Sequence, residues 1–521
     1  MKRIAGAVLV ALFVAGGASA QFTRISASEF AKDPAKVAAL KRAVTRMKER
    51  NIKQQTTADF RQSWIYWANT HGYFGTGPRS SGSAATFKAS AKQRCAGFTG
   101  TTFERCVGYY PHVQDWTVPN DGNITSQIWG TCQHGNLQFL PWHRIYLKYM
   151  ERTLRKFSGD PKFALPYWDY PDNTGPDGGI ALPTMMRGAA SSNSLVDTFR
   201  TIGLNTNASD IDPLDGSAQQ AFDFTTFTSF SQSLEGQPHG TMHCGTGMNC
   251  QAPDIGIVAV AGLDPVFYMH HANIDRLWQC WMVRKAAGAK IDLAWAKANL
   301  GMPQSWFDKS WSFVDENGKL VSTKVSQLFE PGGIDYVYDQ TTNCVPAATS
   351  DPGLESVPAA PRRTVTTEGV SLRGQTLQVP LAASTLEGPE PGLPEGVEVA
   401  RGRTVLLLED VRVVGGNPGI TYRIHLSRRS DPARRVYVAT INWFGILAGE
   451  HAGHEGAEAP RGHRLLFYDV TDELAQLGNP NESDVAVTFE PTRGGEGRES
   501  PEPSASAGTV TVGAIRLQTA R

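Results

Sequence analysis

Residues 264–275 read Asp-Pro-Val-Phe-Tyr-Met-His-His-Ala-Asn-Ile-Asp, and this stretch decides how the larger part of the chain is read. The pattern predicts a helix from about Pro265 to Ala287, with His271, Asp275, Trp278 and Met282 on one face. Asp275 lies one turn beyond His271, so it is a candidate support for that imidazole. Neighbouring residues on a helix point about 100° apart. His270 and His271 are therefore not expected to face the same metal easily.

Working outward, His239 and His243 have the spacing H-x3-H. On a helix this sets two imidazoles on one face, one turn apart, where they can clasp one metal ion. The residue after the first histidine is Gly240, not Glu, so the zinc-protease pattern HExxH fails. Further upstream, His134 and His143 bracket Gly-Asn-Leu-Gln-Phe-Leu-Pro-Trp. His143, Leu147, Met150 and Leu154 share a helical face, so His143 points toward apolar neighbours. A buried imidazole needs a partner, because leaving a polar group unpaired costs about 1–3 kcal/mol. Each group alone is equally a hydrogen-bonded core histidine or a surface pair. Together they imply imidazoles converging from separate helices of one bundle. Imidazole suits copper, zinc, iron and nickel, so the ligand type alone does not select the metal.

The chain has 521 residues, with Lys plus Arg equal to Asp plus Glu at 50 each. That balance lacks the basic footprint of a nucleic-acid binder. Lys2 and Arg3, the apolar run Ile4–Val14 and the small residues Ala18-Ser19-Ala20 read as a secretory signal over residues 1–20, with the mature chain starting near Gln21. The run is too short to span a bilayer, so the protein is expected to be exported, in the periplasm or secreted, with no membrane association after signal removal. Export permits disulfides. Seven cysteines leave one over: Cys95/Cys106, Cys244/Cys250 and Cys280/Cys344 are plausible bridges, and Cys132 remains.

Helices are predicted over 34–50, with Asp33 as N-cap and Pro34 at the first position, over 57–70, over 140–157 and around 231–244. Residues 72–130 and 172–220 read mainly as loop. After Cys344 the composition shifts. Residues 345–362 hold four prolines and read as a linker. Short β-branched runs follow at 405–414, 420–426, 436–441, 465–470, 485–489 and 510–517, and residues 492–508 read as a mobile loop. The expected organisation is a signal peptide (1–20), a mainly α catalytic domain (21–345), a linker (346–362) and a C-terminal β-sandwich domain (363–521).

Residues 134–151, HGNLQFLPWHRIYLKYME, resemble the copper A signature of type 3 copper proteins, a family of tyrosinases, catechol oxidases and haemocyanins. DPVFYMHHANID resembles its copper B signature, and PYWDY at 166–170 also recurs in the family. The resemblance implies a four-helix bundle holding two copper ions, each on three histidines. For copper A these are His71, in the helix-like context WIYWANTHG, with His134 and His143. His112 is the rival to His71, but its YYPHVQDW context has no such helix. For copper B they are His239, His243 and His271, the histidine four residues before the aspartate. Cys132-Gln133-His134 has the Cys-x-His spacing that family members close into a thioether, which would employ the odd cysteine. Glu235 resembles a glutamate that positions water near copper, and Val258 stands where the family places a gate residue over copper A. Gly240 stands where efficient tyrosinases often carry Asn. The resemblance thus implies oxidation of o-diphenols to o-quinones with O2, with weak or no monophenol hydroxylation. Tyrosinase and o-aminophenol oxidase activities are the alternatives within the family. An oxygen carrier and a non-catalytic zinc-binding member are the alternatives outside catalysis. Residues 306–339, ending in Tyr336-Val337-Tyr338-Asp339, resemble the end of the plant catalytic domain. Residues 400–491 resemble the domain that shields the plant site until it is removed, and His451, His454 and His463 read as surface residues there.

Overall fold

The computed structural model describes residues 22–170, 174–175, 178–342, 344–345, 365–367, 369–383, 393–394, 397, 401–415, 418–444, 464–492 and 508–520. The proposed signal, most of the linker, the three histidines at 451–463 and most of the 492–508 loop lie outside the described residues. Among the described residues no helix is long and apolar enough to cross a membrane.

The first long helix, Pro34–Lys48, begins as its sequence dictates: Asp33 accepts hydrogen bonds from the backbone of Ala35 and Lys36, and Pro34 needs no donor there. Its Ala39, Leu40, Ala43, Val44 and Met47 are buried, and Arg42 and Arg46 reach the last carbonyls of the Phe139–Ser158 helix. That helix ends where Gly159 takes a left-handed conformation (φ 73°). The helix expected over 57–70 is in fact two, Ala58–Arg61 and Trp64–His71. Ser63 divides them, because its hydroxyl accepts the Tyr66 N–H and starts a new helix at Trp64. This new start sets the face on which His71 emerges. The segment 72–130, read as loop, also holds helices at Ala84–Ala89, Ala91–Arg94 and Gly100–Tyr109, tied by the Cys95–Cys106 disulfide. Ala84–Ala89 and Ala91–Arg94 are too short to show a 3.6-residue stripe, whereas Gly100–Tyr109 carries one, with Phe103, Cys106 and Val107 on one face, inside a stretch rich in Gly, Ser and Thr.

Cys244–Cys250 and Cys280–Cys344 are also bridged. The helical part is laced together at its ends. Phe22–Arg24 pairs in parallel with Tyr336–Tyr338, and Arg24 inserts between Glu151, Asp275 and Tyr338.

Beyond the linker the chain is β-rich. Thr404–Val414 is central to one sheet, pairing antiparallel with Arg464–Asp469, Thr509–Val512 and Ala514–Thr519. A second sheet runs in the order Arg435–Ile441, Thr421–Arg428, Val485–Thr492, Leu377–Pro380, also antiparallel. The β-rich part sits directly on the helical part. Phe467 packs edge-on to Phe224 at 5.4 Å, and Asn249 donates to the Gly419 carbonyl at 3.0 Å.

Candidate metal centre

Seven histidines, His71, His134, His143, His239, His243, His270 and His271, meet in the interior of the helical part. His71 is the last residue of Trp64–His71. The following Gly72 lets the 258–263 turn cross closely, since a Cβ there would lie 2.8 Å from the Ala259 Cα. That turn brings the Val258 carbonyl to His71 Nδ1 at 2.9 Å. His143 projects from Phe139–Ser158, with Nδ1 on the Phe139 carbonyl at 2.8 Å. His239 Nδ1 meets the Glu235 carbonyl at 3.0 Å, and His243 Nδ1 meets the Ile255 carbonyl at 2.6 Å. In all four a backbone acceptor fixes the proton on Nδ1 and makes Nε2 the lone-pair nitrogen.

The rings form two triangles. His71, His134 and His143 have centroids 5.2, 5.8 and 5.4 Å apart. His239, His243 and His271 have centroids 4.7, 5.0 and 5.4 Å apart. The triangles meet where His143 stacks on His271 at 4.4 Å. Phe139 and Phe267 fill the gaps, at 4.7 Å from His239 and 4.2 Å from His271. All six imidazoles are buried.

Burial, reinforced by the neighbouring imidazoles, holds His239, His243, His270 and His271 far below the ordinary imidazole range, so they are neutral. Neutral imidazole is the form that binds metal. Among the described residues the buried Nε2 of His239 has no hydrogen-bond partner, and the Nε2 atoms of His243 and His271 converge to 3.3 Å. Unpaired buried nitrogens cost about 1–3 kcal/mol each, and a shared cation removes that cost. Within each of two groups the potential ligand atoms lie within 4.8 Å of one another: His71, Cys132, His134 and His143, and His239, His243, His270 and His271.

Two residues depart from the sequence reading. His270 is not turned away but joins the second group, its Nδ1 2.6 Å from the Tyr170 hydroxyl. Asp275 does not support His271. It accepts from Arg24, Arg144, Tyr336 and Tyr338 instead, and Arg144 holds its carboxyl below the usual range. Its helical position reflects a buried ion-pair hub rather than the metal site. His112 lies elsewhere, bonded to Asp254 at 2.8 Å and stacked on Phe199 at 3.7 Å.

The tyrosinase family model, described as the common central domain of tyrosinase, matches residues 61–211 and 189–284. Both histidine groups fall inside that span. The chain belongs to the tyrosinase and polyphenol oxidase family of type 3 copper proteins. It is 27% identical over 474 residues to Tyrosinase HcTyr1 of Hahella sp. (strain CCB-MM4), covering 84% of this chain and 88% of that one. It is 24% identical over 437 residues to a chloroplastic polyphenol oxidase of Malus domestica, covering 74% and 67%. A latent aurone synthase (polyphenol oxidase) has a similar fold, with TM-score 0.54 and 19% identity over 97% of this chain and 91% of that one.

Members of this family are dinuclear copper enzymes acting on phenols, and the two histidine groups fit the two ions. Around this copper site lie the other expected residues. Cys132 Sγ is 3.6 and 3.9 Å from the two ring nitrogens of His134, the atoms flanking Cε1. Burial pushes its thiol up, so it is a poor thiolate ligand. Glu235 accepts the Gly135 N–H at 2.6 Å, and Gly135 takes the left-handed turn (φ 68°) that aims it. Burial raises the Glu235 carboxyl to about 7, against the opposing pull of Arg464. Glu235, Arg464 and Asn442 line a cavity of about 280 Å³ between the helical and β-rich parts.

Phe444, which the sequence reading passed over, comes from the β-rich part. Its ring stacks on His243 at 3.9 Å and lies 5.4 Å from His239 and 6.1 Å from His134. Nothing in the local sequence Ile441-Asn442-Trp443-Phe444 marks it, because its partners are 201 to 310 residues upstream.

Proposed function

We propose that this protein oxidises o-diphenols to o-quinones, two catechols and one O2 giving two quinones and two waters, with little monophenol hydroxylation. The observation that carries the diphenol preference is Gly240, which offers no side chain beside His239. The resemblance assigns to an Asn at that position a part in deprotonating monophenols.

His71, His134 and His143 would hold one copper, and His239, His243 and His271 the other. His271 is preferred to His270 because it stacks on His143, at the seam between the two triangles. Copper, when bound, supplies the O2-binding site and takes up the electrons of the phenol. The chain supplies the rest. Backbone carbonyls fix the imidazole tautomers, Phe139 and Phe267 exclude water, and Glu235 accepts a phenolic proton through water. A Cys132–His134 thioether would fix the His134 ring, and Val258 would leave copper A more open than a bulky gate residue.

The fold reading is a four-helix bundle over residues 21–345, a linker at 346–362 and a β-sandwich over 363–521. Phe444 supports a latent form in which the sandwich covers the site until cleavage in the linker or an opening motion. Export through residues 1–20 suits the three disulfides.

Oxygen uptake on catechol, tyrosine and an o-aminophenol, before and after limited proteolysis, tests the reading. The expected result is fast uptake on catechol, little on tyrosine, and a rise on cleavage. Rapid tyrosine hydroxylation would move the protein to the true tyrosinases. Intact catechol oxidation in both His143→Ala and His239→Ala would overturn the site.

A further inference from the structure

The strand Arg435–Ile441 and the residues that follow it hold the Gly236 carbonyl and the Gln237 side chain, just before His239. Gln237 accepts the Thr440 N–H at 2.9 Å and donates to the Tyr437 hydroxyl at 3.1 Å. Asn442 Nδ2 donates to the Gly236 carbonyl at 2.8 Å, and Asn442 Oδ1 accepts the Phe444 N–H at 3.1 Å. Asn442 thus binds the catalytic backbone with one end of its carboxamide and holds Phe444 with the other.

Gly240 lies directly under that carboxamide. A Cβ at Gly240 would be 2.5 Å from Asn442 Oδ1, 3.0 Å from Cγ and 3.0 Å from Nδ2. These are well inside the contact distance of about 3.5–4.0 Å between nonbonded atoms. The end of a side chain can often swing away from such a clash. Here swinging away has a cost, because both polar ends of the Asn442 amide are bonded. Rotation would strand the Gly236 carbonyl and the Phe444 N–H. The backbone of Gly240 is itself ordinary helix (φ −67°), so its conformation does not require glycine. The three atoms nearest to a Cβ there all belong to Asn442.

We propose that Gly240 is the seat of the C-terminal cover: its missing side chain lets Asn442 dock and so lets Phe444 close over the copper pair. This rests on the latency reading above. One position then sets two properties. Any side chain placed there to handle phenols would also push the cover off, so the diphenol preference and the tight closure come together.

The full-length wild type, Gly240→Ala, Asn442→Ala and the double variant are compared. The first readout is catechol oxidation of the intact chain as a fraction of the same variant after cleavage. The second is hydrogen–deuterium exchange over 437–444, with and without copper. Gly240→Ala is expected to raise the fraction at least about fivefold and to speed exchange over 437–444. In the Asn442→Ala background the same change is expected to alter neither by more than about twofold, since two groups in contact are not additive. Exchange and fraction equal to wild type in Gly240→Ala would overturn the seat. So would an opening that persists in full without the Asn442 side chain. A wild-type fraction near one would sink the latency reading, while the exchange data would still decide the seat. If Gly240→Ala does not fold, Asn442→Gln presses on the same contact from the other side and is expected to loosen 437–444. Unchanged exchange there overturns the proposal.

Discussion

The Phe444 ring and the His243 imidazole lie face to face, centroids 3.9 Å apart and planes 9° from parallel. A stacked aromatic pair contributes on the order of 1 kcal/mol beyond the area it buries, about a fivefold bias toward the closed form. Phe444→Ala is expected to raise catechol oxidation of the uncleaved chain at least about fivefold and to leave the cleaved enzyme unchanged. Equal rates in the uncleaved wild type and variant would mean that the ring does not limit access.

His270 and His271 are separated by a metal count. His271→Ala is expected to retain about one copper per chain and to lose catechol oxidation, because an incomplete set of imidazoles binds far more weakly. His270→Phe removes the ring nitrogen that meets Tyr170 and is expected to keep two copper ions. Metal analysis showing the reverse would make His270 the ligand.

Much of this site is legible in the sequence, and the limits of that legibility are physical. His143 and the pair His239/His243 stand out because ligand spacing on a helix is local, and residues 404–519 announce strands by β-branched runs. The Ser63 break that aims His71 is less visible, because Ser inside an apolar pattern reads equally as a helix residue. Asp275 misleads for a related reason. One turn from His271 it looks like a support, but Arg24 and Tyr338, which claim it, are 251 and 63 residues away. Phe444 and Asn442 are invisible for the same cause, since their meaning lies wholly in long-range contact.

Asp275 therefore carries a stability prediction rather than a catalytic one. It is buried among Arg24, Arg144, Tyr336 and Tyr338. Breaking one side of a buried ion pair costs about 3–5 kcal/mol, so Asp275→Ala is expected to lower the unfolding midpoint sharply or to prevent folding. Because Arg144 depresses its carboxyl, the stabilisation is present above the ordinary carboxyl range and is lost as pH falls below it. A variant with unchanged thermal unfolding would refute this.

Cys132 and His134 make a chemical prediction. Sγ beside both ring nitrogens of His134 is placed for a bond to the carbon between them. Mass spectrometry of the peptide spanning both residues, from protein loaded with copper in air, is expected to show a loss of two hydrogens and protection from thiol alkylation. Full alkylation of Cys132 in unfolded, copper-loaded protein would leave it a free thiol.

The interface between the two parts also holds carboxyls that titrate near neutrality. Burial lifts Asp223 to about 7, helped by Asp469 and opposed by Arg403. Burial lifts Glu473 to about 8, helped by Asp223, Asp469 and Asp472. Gln220, on the helical side with Asp223, ties Glu473 across this interface, donating to Glu473 at 3.2 Å and to the Asp469 carbonyl at 3.1 Å. In the open form proposed above these groups would meet water and return toward the usual carboxyl value of about 4. Between that value and about 8 the closed form therefore holds protons that the open form releases. Their contribution to closure is full at the acid end of the window and is lost as pH rises through it. The uncleaved chain, normalised to the cleaved enzyme at each pH, is expected to gain activity from pH 6 to pH 8.5. Asp223→Asn with Glu473→Gln is expected to flatten that rise, because neither amide can release a proton. A double variant that keeps the full slope would place the titrating groups elsewhere.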